Sequence, residues 1–254
     1  MTESILIIDD NEDILEFLSV VLRDAYTLHL AADGEIAQNI LDKEIIHLII
    51  SDIMMPGIDG FELCKLIKSN VEYCHIPIIL LTSKNTYKAH IEGLEVGADA
   101  YIQKPFSTEL LQIQIANLLK NRRKIKEHFA SSPFEDVRIM AHSKTDYAFL
   151  KKLDEYISNN IKDPNIDIDM LAGHMFMSRT TLYRKIKSLS SLSPKELIDL
   201  TRLKKAANLI ACNEFSLYEI SKMVGYSSQS LFSRNFLKYF KMSPNEYANS
   251  LPRE

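Results

Sequence analysis

From residue 4 to about residue 120, short runs of leucine and β-branched residues alternate with longer stretches whose apolar positions recur at helical spacing. The runs cover residues 5–8, 27–31, 48–51, 76–81 and 100–103. They are continuously apolar rather than alternating, the pattern of strands covered on both faces, and the helix-period segments between them supply the covering layers. The pattern predicts a five-stranded, parallel, doubly wound α/β domain. A last helix is expected from Ser107, a suitable N-cap, running into the basic stretch NRRKIKEHF, with Ser131, Ser132 and Pro133 marking a break. From Asp146 onward only helical periodicity is found, punctuated by Gly173, Ser178, Pro194, Gly225, Ser227 and Pro244. The expected organisation is an α/β domain over 1–122, a linker over 123–145 and an all-α domain over 146–254.

The all-α half contains a weak repeat. Leu171 matches Ile220 at an offset of 49, and at an offset of 50 Leu182 matches Phe232, Arg184 matches Arg234, Ile186 matches Phe236 and Ser193-Pro194 matches Ser243-Pro244. Similar core faces explain the apolar matches alone. The shared arginine and Ser-Pro point to a duplication with one residue added in a turn.

A chain of 254 residues, 46% hydrophobic and 25% charged, has the composition and length of two soluble domains. Its longest apolar stretches are strand-length, far short of the roughly 20 residues that cross a bilayer. The start MTESILIIDD carries neither the basic segment nor the cleavage site of a secretory signal, so a cytoplasmic location without membrane contact is expected. Cys64, Cys74 and Cys212 form no close pair, which argues for reduced thiols over a disulfide framework or a cysteine zinc site. The net charge of −4 divides into −11 over 1–120, +2 over 121–142 and +5 over 143–254. An acidic half joined to a basic one suits a metal- or phosphate-handling domain fused to a polyanion binder, and equally suits plain solubility.

Asp9 and Asp10 end the first predicted strand, Asp52 the third and Thr82 the fourth, and Lys104 follows the fifth. In an open parallel sheet the carboxyl ends of the strands border the ligand crevice, so these residues converge there. A lone aspartate after a strand commonly caps the next helix, and Asp10 or Asn11 fits that role too. Three clustered carboxylates repel one another unless a hard cation joins them, and Mg²⁺ takes oxygen ligands of this kind. With one Asp52 oxygen on the metal, the other is placed to attack phosphorus while Lys104 neutralises the transferring group.

The runs IIDDNED, LIISDIMMPGIDGFEL, LTSK and AYIQKPF together resemble the receiver domain of two-component response regulators over about 120 residues. The resemblance implies that Asp52 accepts a phosphoryl group from a histidine kinase. It also implies that Asp9, Asp10, Asp52 and the Met54 backbone carbonyl hold Mg²⁺, and that Thr82 and Tyr101 act as a switch, with Lys104-Pro105 a cis peptide. Ser83 stands where many receivers carry alanine and is expected, with Thr82 and Lys104, among the residues that contact the phosphoryl group. The protein is expected to be no enzyme beyond its own phosphorylation and dephosphorylation at Asp52.

In the helical half, residues 168–175, the turn 176–178 and SRTTLYRKIKSL read as one helix-turn-helix, with Leu182 and Ile186 inward and Arg179, Thr180, Tyr183 and Arg184 outward. Residues 217–224, GYSS and the following helix read as a second, with Phe232 and Phe236 inward and Gln229, Ser230, Ser233 and Arg234 outward. An outward arginine is commonly only a solvated charge, and one such pattern is a weak signal; two in tandem are far stronger. Second helices of this kind enter the major groove, where Arg bridges guanine and Gln bridges adenine. MSRTTLYRKIKSLSSLSP and EISKMVGYSSQSLFSRNFLKYFKMSPNEY resemble the AraC/XylS-type DNA-binding domain, with Lys241 where that family often has glycine. The resemblance implies transcription control at direct-repeat operators on double-stranded DNA, with RNA polymerase as a further contact and a homodimer on phosphorylation. Receiver plus AraC-type output also resembles the C-terminal part of hybrid sensor-regulators, whose kinase lies on the same polypeptide.

Two other readings use the same residues. An enzyme with a flavodoxin-like or phosphatase-like domain lacks support, because none of the 7 glycines forms a GxxxxGK[ST] or GxGxxG run and the 7 histidines lack metal-ligand spacing. A passive docking module of receiver fold is separated from the main reading by phosphate uptake at Asp52.

Overall fold

The computed structural model describes residues 2–83, 96–131 and 144–251, without the side chains of 128–131 and 144. The chain divides into two compact units, Met1–Ile125 with Ala141–Tyr147 and Lys126–Met140 with Ala148–Glu254.

In the first unit the apolar runs form strands β1 (Ser4–Ile8), β2 (Thr27–Ala31), β3 (Leu48–Asp52), β4 (Ile78–Thr82) and β5 (Ala100–Gln103). The sheet order is β2-β1-β3-β4-β5 and every pairing is parallel. Helices α1 (Glu12–Leu22), α2 (Gly34–Lys43), α3 (Gly60–Ser69) and α4 (Thr108–Ser131) are also described in this part of the chain. Odd and even strand positions enter different cores. Leu6, Ile8, Ile49, Ile78 and Leu80 pack with Ala37, Leu41, Leu63 and Ile67 of α2 and α3. Ile5, Ile7, Leu48, Ile50, Ile79 and Leu81 pack with Leu15, Leu18 and Leu22 of α1 and Leu111, Ile115 and Leu119 of α4. The sheet is therefore covered on both faces, as the continuously apolar runs require.

The fourth strand begins at Ile78 rather than at Ile76, because Ile76 closes a turn on the Tyr73 carbonyl and Pro77 brings no amide hydrogen to a ladder. The helix beginning at Thr108 continues to Ser131, so the stretch expected to start the linker at 123 is helical over its first part. The break expected at Ser132-Pro133 lies outside the described residues.

The next helices are α5 (Lys144–Asn159), α6 (Ile168–Met175), α7 (Arg179–Ser190), α8 (Pro194–Cys212), α9 (Leu217–Met223), α10 (Gln229–Phe240) and α11 (Pro244–Ser250). The duplication is written in their caps. Ser178 and Ser228 cap α7 and α10, each accepting from the amide three residues on. Ser191 and Lys241 close those helices, both in the left-handed region at φ 61°. Ser193 and Ser243 then open α8 and α11 with capping boxes to Glu196 and Glu246. Each of these pairs stands 50 residues apart. α8 packs against α7, α9, α10 and α11, and its Leu203, Ala206, Ala207 and Ile210 meet Ile220, Val224, Phe232 and Phe236 in one core.

Candidate functional site

The order of strands reverses between β1 and β3, and the crevice of an open parallel sheet lies at such a switch point. The register pairs Ile8 with Ser51, so the next residues along the two strands, Asp9 and Asp52, lie side by side. Both are buried, at 1% and 5% exposure, which is exceptional for carboxylates without a counter-charge. The Lys104 ammonium supplies that charge, 2.8 Å from Asp9 Oδ2 and 2.6 Å from Asp52 Oδ1. Burial works against its proton, yet the hydrogen bonds to Asp52 and Asp9 and the fields of both carboxylates together hold its pKa above the ordinary lysine value. Lys104 is thus a fixed cation at neutral pH.

The remaining oxygens are held by backbone. Met54 N–H donates to Asp52 Oδ2 at 2.6 Å, and Asn11 N–H donates to Asp9 Oδ1 at 3.0 Å. The Lys104 amide donates to the Thr82 carbonyl at 2.6 Å, fixing the end of β5 to the end of β4, and the Lys104-Pro105 peptide is cis. Asp10 and Ser83 lie exposed at the rim and Thr82 is fully buried. Thr82 lies two residues beyond Leu80, whose register partner is Tyr101, so Thr82 and Tyr101 share one face of the sheet. The Tyr101 ring is half-buried against the core on that face.

Two buried carboxylates share one ammonium and a third carboxylate stands at the rim, a net negative, all-oxygen donor set that suits a hard divalent cation. Among the described residues no three acidic, histidine or cysteine side chains are already drawn to metal-holding spacing. The donor chemistry, all carboxylate oxygen, is of the kind Mg²⁺ takes. Of Met54, the amide contact to Asp52 is defined.

Gly60 is a site residue that pattern reading passes over. Asp59 caps α3, and a Cβ on Gly60 would stand 2.2 Å from the Asp52 carbonyl oxygen and 2.8 Å from Ile53 Cα. Only glycine lets the helix start this close to the strand that carries Asp52. The signal in the sequence is the Asp-Gly pair opening an apolar helix seven residues after Asp52.

In the helical unit, Arg179, Thr180, Tyr183, Gln229, Ser230 and Arg234 are exposed on α7 and α10, and Ser233 is half-buried. Arg179 meets Asp169 across the first helix-turn-helix, Nη1 to Oδ2 at 3.2 Å. Arg184 differs from expectation. Its side chain is half-buried with Nε enclosed, because the inward face of α7 includes Lys185 as well as Leu182, Ile186 and Leu189. Lys185 is fully buried, with its ammonium 5.7 Å from the centre of the Phe149 ring.

Two family models match this architecture, a response regulator receiver domain over residues 5–116 and a helix-turn-helix domain of AraC type over residues 171–250. The chain is a response-regulator receiver followed by an AraC-type helix-turn-helix domain. Among curated proteins, this regulator is 36% identical over 246 residues to histidine kinase P4 of Formosa agariphila, a match that takes in 97% of this chain and 18% of that one. Among solved structures, it resembles chemotaxis protein CheY4 of Vibrio cholerae at 34% identity, over 46% of this chain and 99% of that one, with a TM-score of 0.45. It also resembles the Thermotoga maritima response regulator DrrB at 32% identity, over 47% of this chain and 54% of that one, with a TM-score of 0.44. The regulator spans less than a fifth of the kinase's length. None of its described helices is long and apolar enough to cross a membrane.

Proposed function

We propose that the chain is a phosphorylation-controlled transcription regulator in which Asp52 accepts a phosphoryl group and the two helix-turn-helix units bind direct-repeat operator DNA. The observation that carries this reading is the Lys104 ammonium bridging buried Asp9 and Asp52 at the switch point. Asp52 presents an oxygen as nucleophile, and as its bond to phosphorus forms the bond from phosphorus to the donor breaks, leaving an acyl phosphate. Lys104 stays protonated throughout and meets the charge of the phosphoryl oxygens. Asp9, Asp10, Asp52 and the Met54 carbonyl would hold Mg²⁺, which supplies charge neutralisation of the transferring group. Thr82 and Tyr101, on one face of the sheet, then form the switch, the hydroxyl turning toward the phosphoryl oxygen and the ring filling the space it leaves.

The donor is a histidine kinase, either separate or on the same parent polypeptide; the match to a histidine kinase over nearly this whole chain favours the second. Phosphorylated copies pair so that two DNA-binding domains engage adjacent repeats, with RNA polymerase as a downstream contact. The site of action is the cytoplasm, and no reaction is catalysed beyond phosphorylation and dephosphorylation of Asp52.

The decisive experiment is capture and sequencing of genomic fragments by the purified chain at fixed salt and Mg²⁺, with and without beryllofluoride, alongside phosphate uptake from a small phosphodonor. The expected result is a direct-repeat site enriched more strongly with beryllofluoride, and phosphate uptake abolished in Asp52→Asn. Uptake that survives in Asp52→Asn removes the acceptor assignment, and the absence of any enriched site removes the operator reading.

A further inference from the structure

Gly225 lies in the turn between α9 and α10 at φ 76°, in the left-handed region. That conformation alone does not demand a glycine. The same place in the first repeat, 49 residues earlier, is Phe176, which adopts φ 55° and is 89% exposed. The two turns differ in what they face. A Cβ on Gly225 would stand 2.3 Å from the Ile161 carbonyl oxygen and 2.9 Å from Arg202 Nη2. Ile161 belongs to the segment between α5 and α6, which leads into the first repeat. The turn of the second repeat is therefore seated, backbone against backbone, on the entry to the first, and glycine is what permits the close approach.

Arg202 holds this seat together. It stands on α8, the helix that joins the two repeats, and is only 6% exposed. Its Nη2 donates to the Asp163 carbonyl of the same entry segment, and its guanidinium lies 6.0 Å from the centre of the ring of Tyr226, the residue after Gly225. Asp163 is itself fixed in a turn, its amide donating to the Asn160 carbonyl at 2.9 Å and its Oδ1 accepting from the Asn165 amide at 2.9 Å. One side chain on the connecting helix thus touches both the anchored turn before α6 and the turn before α10. A helix acting alone as a linker is only semi-rigid, whereas a planar guanidinium that donates along its edge and stacks on its face ties two further segments to that helix. We propose that Arg202 is a positioning residue that fixes the separation of the recognition helices α7 and α10, so that one chain reads two groove segments at a single spacing. Its consequence for DNA rests on the operator reading proposed above, whereas the fixed separation is a property of the free chain.

The first measurement is the distance between spin labels at Thr180→Cys on α7 and Ser230→Cys on α10, both exposed, in the free full chain carrying Cys212→Ser; Cys64 and Cys74 are buried. The expected result is one narrow distance distribution with Arg202 present, and the loss of that narrow maximum in Arg202→Met that circular dichroism shows to be folded. Should Arg202→Met not fold, Arg202→Lys, which keeps the charge and loses the planar fork, decides on the same criterion. A broad distribution with Arg202 present, or an unchanged one in the deciding variant, overturns the proposal. The second measurement compares affinity at fixed salt for the fragment enriched by genomic capture and for the same fragment with one base pair inserted between the segments protected by α7 and α10, which turns one segment against the other by roughly 35°. The insertion is expected to cost about tenfold or more with Arg202 present and several-fold less in the variant, because a looser link follows the displaced segment. A loss of affinity that is equal on both fragments is what lowered stability alone produces, and it overturns the spacing role. If no fragment is enriched the operator reading fails, and the label distances alone decide on Arg202.

Discussion

At the scale of single residues, the acid pocket depends on one place where a side chain is forbidden. A methyl group at Gly60 would overlap the backbone of Asp52 and Ile53, which cannot swing aside as a side-chain tip does. Gly60→Ala is expected to cost about 1–3 kcal/mol by forcing α3 and the β3 end apart, and to slow phosphate uptake at Asp52 more than a substitution of equal cost elsewhere in the core. Thermal melting and the uptake rate, measured on the same protein, check both parts. The opposite case occurs at Ser191 and Lys241, which hold the left-handed conformation that glycine adopts freely. Lys241→Gly and Ser191→Gly are each expected to stabilise the helical unit by up to ~1 kcal/mol, because an L-residue there carries a steric penalty of that order. Denaturant melts that show either variant less stable would mean that the side chain's own contacts, such as Lys241 Nζ to the Lys238 carbonyl at 3.0 Å, outweigh the strain.

At the scale of elements, the sequence predicts best where one physical constraint acts alone. Continuous apolar runs located all five strands, and the positions of Asp9, Asp52, Thr82 and Lys104 at their ends followed from chain direction. The duplicated Ser-Pro, legible as turn punctuation and as a sign of duplication, opens two helices in the structure, because Ser as cap and Pro at the first position is a local preference. Features set by tertiary surroundings were not legible. Lys185 reads as a solvated lysine until Phe149 is placed over it, and Arg184 reads as outward until the buried face of α7 is seen to widen. That one lysine joins Asp9 to Asp52 required the β1–β3 register as well.

The caps also make the helices sensitive to acid. Glu196, Glu219 and Glu246 each accept from the backbone amide and the hydroxyl of their capping serines, and those bonds hold all three below the ordinary glutamate value of 4.5. A depressed carboxylate pKa contributes stability that is present above the unfolded value and is lost as pH falls through the lower folded value. Burial raises Asp154 and Asp199, which act in the opposite sense. The comparison that isolates the caps is therefore wild type against Glu219→Gln, which keeps an acceptor and removes the proton-binding charge. The stability advantage of the wild type should shrink between about pH 6 and pH 3; an advantage that is flat across this window would show that the charge adds nothing to the box.

At the scale of the whole molecule, the charge division constrains how phosphorylation can promote DNA binding. The first 120 residues carry −11 and the last 112 carry +5. On the proposed reading, an acyl phosphate carrying about −2 replaces the −1 of the Asp52 carboxylate, a net gain of roughly −1 on the half that already repels DNA. Direct electrostatics therefore opposes binding, weakly and in a manner that salt screens. On the proposed reading the gain comes from linking two DNA-binding domains, which raises effective concentration without a new base contact. The expected result at fixed salt is that beryllofluoride tightens binding to a duplex with two adjacent repeats by about tenfold or more, while binding to a single repeat is unchanged or slightly weakened. Fluorescence anisotropy with the two duplexes separates the cases. Equal tightening on both would place the switch inside a single DNA-binding domain, through an altered presentation of α7 and α10, and would remove the need for paired copies.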